Sequence, residues 1–187
     1  MARFNIADAE KYGGQGGGGY FSLKNNGDSA RIRIMYNRYE DIEGYAVHEV
    51  SINGKKRYVD CLRTYDDPKD MCPLCRSGSF AQVKVFIPVY CVDEDRVKVW
   101  ERGKTYISRL KMLFEENAED KPLISTVFNV QKNVDDAGKC SFDITPEYTG
   151  SVEMDDFPEE PQPVYGGLVL QKTAEEMERY LTTGYFG

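Results

Sequence analysis

The sharpest chemistry in this chain lies with one histidine and three cysteines. His48 is the only histidine, Cys61 follows it, and Cys72 and Cys75 flank a Pro-Leu pair. Two thiolates two residues apart grip one tetrahedral ion from a tight knuckle. A third cysteine and an imidazole complete a closed site of one histidine and three cysteines, the ligand set of a structural zinc. With all four positions filled, no open place is left for a reactive water, so the expected metal is one structural Zn2+. Three other readings compete. Cys91 would replace His48 as fourth ligand, Cys72 and Cys75 would form a redox dithiol, or the thiols would be ordinary small hydrophobes. The redox reading is disfavoured because such a pair usually opens a helix after a strand, whereas Asp70-Met71 precede this one and Arg76-Ser77-Gly78 follow it. Cys91 and Cys140 sit in or beside apolar strand patterns and read as core residues.

Positioning these ligands falls to β-structure. Ala30 to Tyr36 alternates basic and apolar side chains, predicting a half-buried strand with Arg31 and Arg33 on its open face. Gly44 to Leu62 is broken by Asn53-Gly54, the strongest short hairpin signal in the chain, and puts His48 and Cys61 on opposite arms. Tyr65 to Ser79 reads as irregular. Val83–Cys91 and Arg96–Trp100 flank a second turn, Thr105–Glu116 has helical spacing, and Leu123–Gln131 and Ser141–Ile144 read as closing strands. Thr173 stands three residues before Glu176, a capping-box spacing that starts a short C-terminal helix.

The expected organisation is a Gly-rich leader over 1–19, a β core over 20–150 with a zinc-binding insertion at about 44–80, an acidic Pro-rich linker over 151–163, and a tail with a short helix over 164–187. The expected class is mainly β, with one or two short helices, and a small Greek-key barrel of the oligonucleotide-binding type suits the strand count. An SH3-like barrel or a sandwich would suit it too.

Composition sets outer bounds. No apolar run among the 187 residues approaches the ~20 that a membrane helix needs, so no membrane partner is expected. The first residues lack the apolar segment of a secretory signal, and five cysteines make an odd count, so a soluble cytoplasmic chain with reduced thiols is the expectation. The net charge of -7 is uneven. Met1 to Leu110 holds 18 Lys+Arg against 15 Asp+Glu, while Lys111 to Gly187 holds 6 against 16. That asymmetry suggests an anion-binding body with an acidic end. Enzymatic activity is not expected. The single histidine is already assigned, the leader lacks the Lys-Ser/Thr ending that a phosphate loop needs, and Asp66, Asp67 and Asp70 read as turn residues.

The chain has 13 Tyr, 9 Phe and 1 Trp, many of them beside cations. Cations track phosphates while aromatic faces stack unpaired bases, and single-stranded nucleic acid requires that mixture. Candidate contacts are Arg31 and Arg33, Tyr36, Lys84 with Phe86 on one face of a strand, and the run of Trp100, Arg102, Lys104 and Tyr106.

The stretch from Tyr20 to Ile34, the ligand order His48, Cys61, Cys72 and Cys75, and Trp100-Glu101-Arg102-Gly103-Lys104 together resemble the zinc-containing single-stranded-DNA-binding proteins of tailed bacteriophages. The similarity runs in order from about Tyr20 to Tyr148. It implies an oligonucleotide-binding barrel with an inserted zinc-ribbon-like subdomain that coats single strands during phage DNA replication, recombination and repair. It implies zinc on His48, Cys61, Cys72 and Cys75, and DNA contacts at Arg31, Arg33, Lys84, Phe86, Arg102, Lys104 and Tyr106. In that family an acidic tail recruits replication and recombination proteins and competes with DNA, a role open here to Met154-Asp155-Asp156-Phe157-Pro158 or to an inert linker. Two departures stand out. Met1 to Gly19 lacks a basic arm, and the acidic stretch is followed by further apolar sequence. The rival reading is a zinc-ribbon adaptor that binds proteins and not DNA.

Overall fold

In the computed structural model the described residues are 19–117, 123–147, 157–158, 160–161 and 163–187. The proposed Gly-rich leader lies outside them except for its last residue, as does most of the acidic linker. Among the described residues the protein is mainly β, with an eight-stranded sheet and three α-helices.

The strands are β1 (Ser29–Ile34), β2 (Gly44–Ile52), β3 (Lys55–Asp60), β4 (Gln82–Cys91), β5 (Arg96–Gly103), β6 (Val127–Val134), β7 (Cys140–Glu147) and β8 (Val169–Leu170). The helices are α1 (Pro73–Arg76), α2 (Tyr106–Asn117) and α3 (Ala174–Thr183). The sheet runs β7-β6-β1-β4-β2-β3-β8, and β5 lies along the other edge of β4.

β4 organises everything else. Its first half pairs with β2, from Gln82 opposite Val47 to Val85 opposite Gly44. Its second half pairs with β1, from Val89 opposite Ile34 to Cys91 opposite Ile32. Pro88 falls in the gap between those two partners, where no ladder donor is needed, and its carbonyl accepts from the Met35 N–H at 2.9 Å. The opposite edge of β4 pairs with β5 along nearly its whole length. The β2–β3 hairpin and the knuckle after it are thus inserted between two strands that share the main sheet.

Local chemistry explains the turns. Asn53 and Gly54 both take positive φ, 51° and 73°, as a two-residue hairpin turn of matching twist requires. Before β1, the Asp28 carboxylate accepts the Lys24 and Asn25 N–H groups at 3.1 and 2.7 Å, which fixes the entry turn. The capping box at α3 forms as the spacing predicts. The Glu176 N–H donates to Thr173 Oγ1, and the Thr173 N–H donates to the Glu176 carboxylate.

The main core packs Ile32, Ile34, Val85, Ile87, Val89, Cys91, Trp100, Phe128, Val130 and Ile144 from the sheet against Leu110 and Leu113 of α2. At its edge the ring of Phe142 on β7 meets Trp100 on β5 with centroids 5.4 Å apart. A second cluster gathers Val50, Val59, Leu74 and two cysteines beneath α3, and a third packs Val47, Tyr58, Phe86 and Val99 under Leu168 and Val169. The C-terminal segment is therefore part of the fold. β8 pairs in parallel with β3, and α3 lies over the knuckle.

Candidate metal centre and the surface around it

His48 comes from the middle of β2, opposite Val59 on β3. Cys61 follows the end of β3 and is held by its N–H to the Ala46 carbonyl at 2.9 Å. The hairpin thus presents both ligands toward one end, as its turn predicted. Cys72 is extended and precedes α1, with Pro73 in the first helical position where its missing N–H is harmless. The Arg76 N–H returns to the Cys72 carbonyl at 2.9 Å, and this single turn brings Cys75 beside Cys72. The pair does open a helix, contrary to the expectation from its neighbours. That helix stops after four residues, and its thiols face an imidazole and a third thiol instead of solvent.

The four ligand atoms all lie within 4.8 Å of one another. Tetrahedral zinc, with bonds of about 2.3 Å to sulfur and about 2.0–2.1 Å to nitrogen, sets sulfurs about 3.8 Å apart and sulfur and nitrogen about 3.5 Å apart. The Cys61 and Cys75 sulfurs are 3.6 Å apart, and His48 Nε2 is 3.5 Å from both Cys72 and Cys75. The residues fit the ion in number, type and spacing, so the cluster lies close enough together to hold a metal ion.

Electrostatics agree. Burial, reinforced by the nearby Arg63 charge, lowers His48 below its ordinary value and keeps the imidazole neutral, the form that ligates. With Nε2 toward the metal, the Nδ1–H donates to Ser79 Oγ at 3.0 Å, which fixes ring and tautomer. Burial pushes the Cys72 thiol up, yet N–H donors from Cys75, Leu62 and Leu74 outweigh it and hold it below its usual value. Burial raises Cys61, and burial together with the neighbouring Cys61 pushes Cys75 up to about 12. Three thiols this close ionise together only beside a cation.

Cys91 is not the alternative fourth ligand. It is 2% exposed in the main core, and burial raises its thiol to about 11. Cys140, expected in a core, is exposed at the start of β7. Two residues of the site were not legible in advance. Ser79 is one of two serines in a short loop, and Met177 lies in a helix that only its capping box announced. Met177 Sδ lies 3.9 Å from Cys72 Sγ and covers it from α3.

The expected DNA contacts divide into two groups. Arg31 is exposed and its guanidinium meets Asp93 at 2.5 and 2.9 Å. Lys104 is exposed at the turn before α2. Lys84 and Phe86 share a face of β4 as alternation requires, but that face is covered. Phe86 is 4% exposed under Tyr45, Tyr58 and Leu168, and Lys84 donates to Glu101 at 2.8 Å. Tyr36 and Trp100 are core residues, their rings consumed in packing. Arg102 lies over the Trp100 and Phe142 rings at 4.3 and 4.0 Å, and Tyr106 packs edge-on against Trp100 at 5.2 Å.

Arg33 was expected on the open face of β1, and it is 1% exposed. Its Nε donates to the Ile124 carbonyl at 2.7 Å, and its guanidinium lies 4.5 Å from the centroid of Phe157, which also meets Tyr90 at 5.5 Å. Phe157, taken as part of an extended exposed linker, is thus seated on the sheet.

No protein-family model matches this chain, and no curated protein matches it. Fold and site together define a mainly β protein with a metal-capable cluster of one histidine and three cysteines, joined through β2 and β3 to its main sheet. Among the described residues no helix is long and apolar enough to cross a membrane.

Proposed function

We propose that this protein binds single-stranded DNA without sequence preference, on an oligonucleotide-binding-type barrel braced by one structural zinc. The strand order β5-β4-β1-β6-β7, with α2 between β5 and β6 in sequence, supports a five-stranded Greek-key arrangement of that type. The ring contact of Phe142 on β7 with Trp100 on β5 also supports it, although these two strands do not pair by backbone. Zinc on His48, Cys61, Cys72 and Cys75 ties the β2–β3 hairpin to the knuckle beside that barrel. Coating strands during phage replication, recombination and repair, in the host cytoplasm, is the role the family resemblance gives it.

The observation that carries the reading is Phe157 on Arg33 and Tyr90. Its sequence neighbours are Asp155, Asp156, Glu159 and Glu160. An aromatic ring on an anionic chain is also the chemistry of a single DNA strand, with a π face on an anionic backbone. A surface that seats one suits the other, and the two compete.

The test is a titration of the zinc-loaded full chain with a fluorescently labelled oligothymidine and with a duplex of equal length. Trp100, at 1% exposure, is a poor intrinsic probe, so the label carries the signal. Preference for the single strand, a log–log salt slope of about -0.7 per phosphate contact, and tighter binding by Phe157→Ala support the reading. Equal affinity for the duplex, or no binding, overturns it. Retention of a protein partner with indifference to DNA points to the zinc-ribbon adaptor instead.

A further inference from the structure

The knuckle also presents an open face beside the ligand cluster. A cleft of about 180 Å³ opens there, lined by Arg63, Lys69, Gly78, Ser79, Phe80 and Ala81 together with the ligand Cys75. Its lining holds two cations and no carboxylate. Asp67, the acidic residue that senses the Arg63 charge, accepts the Thr64 N–H and hydroxyl at 2.7 and 2.8 Å. At the rim Phe80 is 81% exposed, and Tyr65, two residues after Arg63, is 94% exposed.

Phe80 is exposed on a backbone held in place. The Ser79 N–H donates to the Leu74 carbonyl at 3.0 Å, and the Ser79 hydroxyl is bonded to the His48 ring. Gly78 takes φ 94°, a conformation that favours glycine, and its N–H returns to the Cys75 carbonyl at 3.1 Å. The chain leaving the metal site is therefore fixed one residue before an outward-facing ring. A preorganised aromatic face beside paired cations matches one unit of single-stranded nucleic acid, with a base to stack and a phosphate to neutralise.

We infer that this cleft is a nucleotide subsite, with the Phe80 ring as the platform for one base and Arg63 and Lys69 as the cradle of its flanking phosphate. The inference rests on the single-strand reading above and adds residues that neither motif nor alternation pointed to. It also gives the metal a second consequence, since His48 and Ser79 hold the backbone that presents the ring.

The test uses the zinc-loaded full chain. Phe80→Trp becomes the only exposed tryptophan, and oligothymidine is expected to quench it. Phe80→Ala lowers single-strand affinity by about 5- to 150-fold, the range for one stacked base. Arg63→Ala with Lys69→Ala flattens the salt slope by about 0.7, for the one phosphate no longer neutralised. Zinc content and thermal midpoint serve as folding controls and stay at wild-type values, because Phe80 buries little. Wild-type affinity and slope in both variants, with no quenching of Phe80→Trp, overturn the subsite and leave the proposed function standing. A wild-type protein that ignores single strands overturns both. Failure of Phe80→Ala to retain a protein partner, with DNA binding intact, assigns the face to a protein and also overturns the subsite.

Discussion

Truncating Met177 to alanine tests how α3 protects the metal site. Met177 is the one fully buried side chain of α3, at 0% exposure, and its sulfur touches that of Cys72. A ten-residue helix is marginal by itself and stays formed by packing. Removing a buried methionine costs about 2–5 kcal/mol, counting both the transfer energy and the cavity left behind. Most of that cost falls on the docking of α3, because its other contacts, the buried Phe186 excepted, lie nearer the surface. These are the Tyr180 hydroxyl to Ser51, the Tyr180–Phe186 stack at 4.6 Å and the exposed Arg76–Glu178 pair. If a chelator reaches the zinc only after α3 lifts, the release rate follows the undocked population. At about 1.4 kcal/mol per factor of ten, a cost of 2–4 kcal/mol speeds release by about 30-fold to about 10³-fold. The assay is absorbance of a chromophoric chelator in excess, with wild type, Met177→Ala and Leu181→Ala compared. Leu181 is 41% exposed, so its truncation changes stability by no more than about 0.5 kcal/mol and release by about twofold. A wild-type release rate in Met177→Ala, despite a lower thermal midpoint, would refute gating by α3.

Three further outcomes follow from the same contacts. Ser79→Ala removes the acceptor of the His48 Nδ1–H and is expected to weaken zinc binding by about 10- to 100-fold in a chelator competition; unchanged affinity would show that Ser79 does not orient the ligand. Cys61→Ala loses the metal while Cys91→Ala keeps one zinc per chain by elemental analysis, and the reverse pattern would contradict the ligand set. At Glu101 burial pushes the carboxyl up, but the Lys84 ammonium and the Tyr58 hydroxyl hold it below its ordinary value, so its contribution is present above about pH 4.5 and lost as the pH falls through its lowered value. Glu101→Gln is therefore expected to cost about 1–3 kcal/mol at neutral pH and to flatten the acid limb of the stability profile, and an acid limb identical to wild type would count against that pairing.

The metal site was legible because its chemistry is local. Cys72-Pro73-Leu74-Cys75 sets its own bite, and Asn53-Gly54 dictates the hairpin that places His48 beside Cys61. The β4 alternation was legible too, since Lys84 and Phe86 do share a face. Alternation does not say what covers a face, and that depends on distant chain. Leu168 and Val169, more than eighty residues away, bury Phe86, and Phe157 buries Arg33. A tryptophan beside an arginine reads the same in sequence whether the ring stacks a base or, as at Trp100, fills a core with the cation laid over it. The capping box that starts α3 was visible, but the docking of α3 on the knuckle was not. Phe80 was not legible because a single aromatic after a turn has no pattern; only its exposure beside two cations distinguishes it.

Native mass spectrometry of the full chain, mixed with equal amounts of an oligothymidine and a duplex of matched length, tests the central claim most directly because it weighs metal and strand in one species. The expected result is one population carrying a single zinc and the single strand, with the duplex left free and the strand released when the metal is stripped. A zinc-loaded chain that carries neither nucleic acid, or carries both equally, would contradict the account.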